Sequence, residues 1–115
     1  MPHLFTPEEA NRKIPEMRRI VSDIVDLKRK LADASLNETD KGSLFDKMTI
    51  LASKLAEHGI ELKDADVGLI DFPAKRFDET VYLCWKLGEP EVLYFHGLND
   101  GYRGRKRLKP QTATV

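Results

Sequence analysis

The sequence predicts an α+β fold: a long kinked helix plus a second helix as an antiparallel hairpin, packed on a three-stranded antiparallel β-sheet. Apolar residues recur in three-and-four steps from Ala10 to Leu31 and again from Leu44 to Leu55, the period of two amphipathic helices. The polar run Ala34–Gly42 between them has the length of an ordinary helix–helix connection. After Gly59 the pattern changes to short β-branched and aromatic runs, Val67–Phe72, Val81–Leu87 and Val92–His96, bounded by Pro, Gly and Asp. At 115 residues the chain is expected to be one domain. The hairpin would span about residues 7–58, the β-meander about 66–96 and a basic C-terminal tail about 99–115.

The first helix has a clear start. In Thr6-Pro7-Glu8-Glu9 the threonine can accept from the Glu9 N–H while Glu9 reaches back to Thr6. Pro7 suits the first helical position, where its missing N–H costs nothing. The stripe is Ala10, Ile14, Met17, Ile20, Val21, Ile24, Leu27 and Leu31. Pro15 removes an internal hydrogen bond and clashes with the carbonyl of Asn11, so a kink is expected near Asn11–Ile14. The second helix is expected to start between Thr39 and Ser43 and to carry Leu44, Phe45, Met48, Leu51, Ala52 and Leu55 on one face. Gly59 suits a left-handed C-terminal cap, with Ile60 placed to touch Leu55.

The strands follow. Pro73–Glu79 is expected to link the first two, and Gly88-Glu89-Pro90-Glu91 to turn the second into the third. A sheet with one wet face should alternate apolar and polar residues. Here Val81, Leu83, Trp85 and Leu87 share one face of the middle strand, yet Tyr82 and Cys84 put apolar bulk on the other, with Lys86 at its end. A helical hairpin covers one face only. The other needs the N-terminal arm, the tail or a second subunit, and a homodimer that buries part of this sheet or the long helix stripe is expected.

Composition sets the class. With 41% hydrophobic and 33% charged residues the chain is a globular protein with a heavily charged surface. One cysteine excludes an internal disulfide and a multi-cysteine zinc site, and fits a reducing compartment. No apolar run approaches the roughly 18 residues of a membrane span. MPHLFTPEE lacks a basic segment followed by an apolar run, so the expected location is cytoplasmic. Net charge is zero, which gives no global pull toward nucleic acid or membranes. The charge is uneven, however: Glu57, Glu61, Asp64, Asp66 and Asp71 form an acidic stretch, and Arg103, Arg105, Lys106, Arg107 and Lys109 a basic end.

Few residues can carry chemistry. Asp71, between Ile70 and Phe72 and before Pro73, sits at the mouth of a pocket or caps a turn. Cys84 is by default a small buried hydrophobe, but Lys86 on the same face can lower its thiol pKa. Trp85 reads as core. His96 ends the third strand, and with Asp71, Glu89 and Cys84 it can form a metal or acid–base site if the strands bring them together. The spacing is not diagnostic of any metal, so no metal or cofactor is assigned. His58 suits a helix C-terminus, and His3 lies near the chain end. Arg103, Arg105, Lys106 and Arg107, with Tyr102 for stacking, can meet phosphates, or can simply be a solvated end. There is no phosphate-binding glycine loop, dinucleotide fingerprint, nucleophile elbow or zinc-helix motif.

The stretch Ile60-Glu61-Leu62-Lys63-Asp64-Ala65-Asp66-Val67-Gly68-Leu69-Ile70-Asp71-Phe72-Pro73, followed by Val81-Tyr82-Leu83-Cys84-Trp85-Lys86-Leu87-Gly88-Glu89-Pro90-Glu91, resembles an uncharacterised prokaryotic family, the domain of unknown function 2203. The opening Phe5-Thr6-Pro7-Glu8-Glu9-Ala10-Asn11 with Pro15-Glu16, and Gly101-Tyr102-Arg103-Gly104-Arg105, are similar too. The chain departs where that family often has Trp-His-Glu: here the residues are Phe95-His96-Gly97. The resemblance implies a small cytoplasmic protein of unassigned activity and supplies no catalytic residue. It draws attention to the polar positions within its motifs, Asp71, Lys86, Glu89, His96 and Arg105.

The function expected from these observations is a homodimeric interaction or regulatory module without catalytic activity, its partner itself or another protein. The alternative is a small-molecule or metal-binding enzyme with a pocket near Asp71, Lys86, Glu89 and His96. A third is nucleic-acid binding through the basic tail.

Overall fold

The computed structural model describes residues 3–108. Its elements are α1 (Pro7–Leu31), α2 (Glu38–Glu57), β1 (Glu61–Asp64), β2 (Leu69–Arg76), β3 (Glu79–Lys86), β4 (Tyr94–Gly97), a 3-10 turn at Tyr102–Gly104 and β5 (Lys106–Arg107). The fold is α+β, with the strands in the sequential antiparallel order β1-β2-β3-β4-β5. The sheet therefore has five strands where the sequence predicts three. The additional strands are the edges. They are short and charged, the composition that keeps an edge from pairing with other chains, and so they carry no apolar signal.

α1 starts as its residues dictate. Thr6 Oγ1 accepts the Glu9 N–H at 3.1 Å, and Glu9 Oε1 accepts the Thr6 N–H at 3.1 Å. The helix runs continuously through Pro15, which lies on its exposed side. Ala10, Ile14, Met17, Val21, Ile24 and Val25 are its buried stripe. α2 begins at Glu38, earlier than Thr39–Ser43, because Asn37 Oδ1 caps the Asp40 N–H at 2.8 Å. It ends as predicted. Gly59 has φ +78°, its N–H donates to Ala56 O, and the Ile60 N–H donates to Leu55 O. These two bonds close the helix with a Schellman cap.

The β2–β3 hairpin corrects the linker assigned to Pro73–Glu79. Pairing continues to Arg76↔Glu79, which leaves only Phe77 and Asp78 in the turn. Phe77 takes φ +55°, a conformation that glycine or asparagine usually supplies, so nothing in its chemistry announces a tight turn. Pro73 belongs to β2. Its carbonyl accepts the Phe5 N–H at 2.7 Å on the side away from β3. The missing proline N–H faces that same side, beyond the end of β1, and no ladder bond is lost. The other strand bounds shift as well: β2 starts at Leu69 rather than Val67, and β4 covers Tyr94–Gly97 rather than Val92–His96. Val92 instead gives its N–H to Asn11 Oδ1 of α1 at 2.7 Å.

Register sets the faces. The cross-strand pairs Ile70↔Trp85, Phe72↔Leu83 and Ala74↔Val81 share the face that packs on α1, and all six residues are buried. Trp85 and Phe72 are the largest fully buried side chains, and the Trp85 indole N–H donates to Glu89 O at 3.0 Å. The helices extend past the sheet, and the molecule measures 57 × 27 × 27 Å. α2 contributes Leu55 alone to the buried set.

The turn between β1 and β2 passes close under α1. Gly68 has φ +70°, and a Cβ there would lie 2.7 Å from Val21 Cγ1 and 2.9 Å from Leu87 Cβ. Gly68→Ala thus meets both steric overlap and backbone strain. It should destabilise the protein by more than about 1 kcal/mol in urea unfolding, whereas alanine at exposed Gly42 should not destabilise it.

Candidate functional site

The sheet face opposite α1 carries the polar residues of the strands. β2, β3 and β4 place Asp71, Cys84 and His96 side by side at its centre, through the pairs Asp71↔Cys84, Cys84↔Tyr94 and Tyr82↔His96. All three are buried. His96 Nε2 lies 2.9 Å from Asp71 Oδ2, and His96 Nδ1 lies 2.8 Å from Gly97 O. One ligand-type atom from each of Asp71, Cys84 and His96 lies within 4.8 Å of the other two. Among the described residues this is the cluster that could hold a metal ion.

The environment sets the protonation of these groups. Burial raises the Asp71 carboxyl above the usual carboxylate range, against the opposing pull of His96. Burial, reinforced by the negative charge of Asp71, pushes the Cys84 thiol up to about 12. The sequence expectation that Lys86 lowers this pKa is corrected. Lys86 Nζ instead meets the Tyr102 hydroxyl at 3.2 Å, and Cys84 is held as a thiol. A thiol is a poor nucleophile at neutral pH.

A second network lies over the same face. Arg105 donates from one guanidinium nitrogen to both Glu89 carboxylate oxygens, at 2.7 and 2.9 Å. Its guanidinium carbon stands 4.0 Å from the Tyr94 ring centre and 4.8 Å from that of Tyr102. Glu89 Oε1 also accepts the Lys86 N–H at 2.7 Å and so fixes the β3–β4 turn. Toward the other edge, Glu61 Oε1 accepts from Lys63 at 2.8 Å, and Lys63 sits 4.9 Å from the Tyr82 ring centre. Burial opposes ionisation of Glu61, but the bonds from Lys63 and Tyr82 outweigh it and lower its pKa.

The structure therefore divides the residues singled out from sequence. Asp71, Cys84 and His96 meet directly. Glu89, Arg105 and Lys86 form the adjoining network, in which Glu89 holds a turn. Three cavities of the described surface lie elsewhere: beside His3 and His58, between the helices at Asp23 and Ile50, and below the Phe77 turn. None touches Asp71, Cys84 or His96. His58, at the C-terminal end of α2, meets α1 instead, 3.0 Å from Lys13 Nζ and 3.5 Å from Glu16 Oε2. Of the basic group, Arg105 is occupied by Glu89. Arg103 is exposed, and Lys106 and Arg107 alternate along β5, so they point to opposite faces. Lys109 lies outside the described residues. Sequence reasoning missed the aromatic part of the site. Tyr82 packs on His96 with ring centres 5.5 Å apart, and Tyr94 packs under Arg105. The available signal was period-two placement, Tyr82 beside Cys84 in β3 and Tyr94 beside His96 in β4.

An α+β protein with a buried Asp–His–Cys cluster on the outer face of its sheet is what fold and site define. A family model described as "Uncharacterized conserved protein (DUF2203)" matches residues 3–108, and the chain belongs to that family. No curated protein and no solved structure matches it. Among the described residues no helix is long and apolar enough to cross a membrane.

Cys84 should not react with a thiol reagent at neutral pH in the native protein, and should react fully once the chain is unfolded in denaturant. Glu89→Ala leaves the largely buried Arg105 guanidinium unpaired and frees the β3–β4 turn. It should cost about 3 kcal/mol in chemical unfolding.

Proposed function

We propose that this chain is a homodimeric interaction module without catalytic activity, whose two copies join through the α1–α2 hairpin. The observation that carries this reading is the apolar surface left on α2. Phe45 is 62% exposed and Ile50 59%, while Leu55 is the only buried residue of the helix. Leu44, Met48 and Leu51, on the side of α2 that carries Leu55, and Leu27 and Leu31 of α1 are only partly covered, and Phe45 and Ile50 flank that stripe on its two sides, about 140° apart around the helix. A helix pair cannot bury apolar residues on the flanks of its contact without a further layer.

A second copy suits that face. The groove at Leu27, Ile50 and Leu51 is flanked by Asp23 and Asp26 on α1, with Lys30 and Lys47 nearby. A two-fold contact brings a patch against itself, so a patch carrying both signs can pair its acids with its own lysines. Two helices of about 20 residues offer a face roughly 30 Å by 20 Å. That footprint approaches one partner's share of a standard interface, about 800 Å². The sheet does not require the partner, because its outer face is closed by the chain's own Arg105, Tyr94 and Tyr82. The buried Cys84, held in its thiol form, weighs against the catalytic alternative.

Light scattering of the untagged chain at tens of micromolar should give a dimer mass. Phe45→Glu with Ile50→Glu should shift it to monomer while far-ultraviolet circular dichroism stays unchanged. A monomer mass for the unmodified chain would refute the proposal.

A further inference from the structure

We propose that Asp71, Cys84 and His96 form a binding site for a divalent transition-metal cation of the Zn²⁺ type. The first argument is donor accounting around His96. Its Nδ1 lies 2.8 Å from Gly97 O. A carbonyl oxygen only accepts, so Nδ1 carries the hydrogen. The neutral ring then presents the Nε2 lone pair to Asp71 Oδ2 at 2.9 Å, an acceptor facing an acceptor. At 2.9 Å the two atoms share a proton, and a metal ion would take that proton's place once they open to about 3.3 Å. An imidazole whose Nδ1–H is fixed by a backbone carbonyl, with Nε2 free to donate its lone pair, is the usual arrangement of a metal-bound histidine.

The second argument is independent of His96. Asp71 Oδ1 is buried and has no hydrogen-bond partner, although the residue is only 1% exposed. A lone carboxylate oxygen in that position is costly unless a cation or donor meets it. The Cys84 sulfur completes the set, with all three ligand atoms within 4.8 Å of one another. Tetrahedral zinc bonds of about 2.0–2.3 Å place ligand atoms roughly 3.3–3.7 Å apart, so modest side-chain movement closes the site. The strands hold the ligands on adjacent rungs, Asp71↔Cys84 on one ladder and Cys84↔Tyr94 on the next, with His96 two residues from Tyr94.

The donor chemistry selects the cation. One thiolate, one imidazole and one carboxylate suit Zn²⁺ or Co²⁺, whereas Mg²⁺ and Ca²⁺ take oxygen ligands. Binding releases the Cys84 thiol proton and the proton shared by Asp71 and His96 to water, and the resulting thiolate and carboxylate supply two negative charges, which a divalent cation neutralises inside the sheet. The fourth position is left to water. Because the ligands come from β2, β3 and β4, the ion would clamp the three strands together. This site lies in the sheet and is independent of the helix face assigned to dimerisation.

The test is a Co²⁺ titration of the untagged full chain after treatment with a chelator. The proposal predicts one Co²⁺ per chain, a thiolate-to-cobalt charge-transfer band in the near ultraviolet, and loss of that band when Zn²⁺ is added. Zn²⁺ should also raise the thermal midpoint. Cys84→Ser should abolish the charge-transfer band, and Asp71→Asn should weaken Co²⁺ binding more than tenfold. Failure of the unmodified chain to bind Co²⁺ or Zn²⁺ stoichiometrically would overturn the proposal, whatever the variants do. So would a charge-transfer band that survives in folded Cys84→Ser. In either case the Asp71–His96 pair holds a proton only.

Discussion

A sheet buried on both faces needs two covers, and this chain has one long helix to offer. Everything else follows from how that shortage is met. α1 lays Ala10, Ile14, Met17, Val21 and Ile24 on the face made by Trp85, Phe72, Leu83 and Ile70. Burial of each large side chain there is worth about 1.5–3 kcal/mol in transfer terms, and this is the main source of stability. Gly68 lets the β1–β2 turn approach α1 closely enough for the packing to close. The opposite face gets no helix. It is closed by its own tyrosines and by Arg105, which the C-terminal segment returns across the sheet next to β4.

That polar cover explains why Asp71, Cys84 and His96 can be buried at the middle of an outer face. A carboxylate and an imidazole in such a place are tolerable only as a pair, because each alone would bring its full desolvation cost. The same burial that pairs them keeps Cys84 in its thiol form. The cluster is thus poorly suited to attacking a substrate, and any cation held there would have to displace the thiol proton. Meanwhile α1 and α2 run past the sheet, and the unmet apolar demand of the chain moves from the sheet to the helix pair.

Much of this was legible in the sequence. The capping box at Thr6, the Gly59 cap and the alternating faces of β3 are local signals, and each is where the residues place it. The family resemblance is borne out across residues 3–108. The edge strands were not legible, because Glu61–Asp64 and Lys106–Arg107 are polar by the logic of edges. The Phe77-Asp78 turn was hidden because its positive φ falls on a residue that seldom adopts one. The composition of the Asp71 cluster could be named from sequence, but its convergence could not, since it depends on the register across β2, β3 and β4. The sequence also placed the excess apolar surface on the sheet. The tail was one of three covers the sequence offered for that face, and its position beside Glu89 and Tyr94 singles it out.

On the proposed assembly, the outer sheet face is closed within one chain and the helix pair by a second copy. Hydrogen–deuterium exchange measured across a hundredfold range of protein concentration separates the two surfaces. Amides of α2 around Phe45 and Ile50 should become more protected as concentration rises, while amides of β3 and β4 stay protected equally at every concentration. Protection of β3 and β4 that grows with concentration, with α2 unchanged, would refute this assembly and return the interface to the sheet.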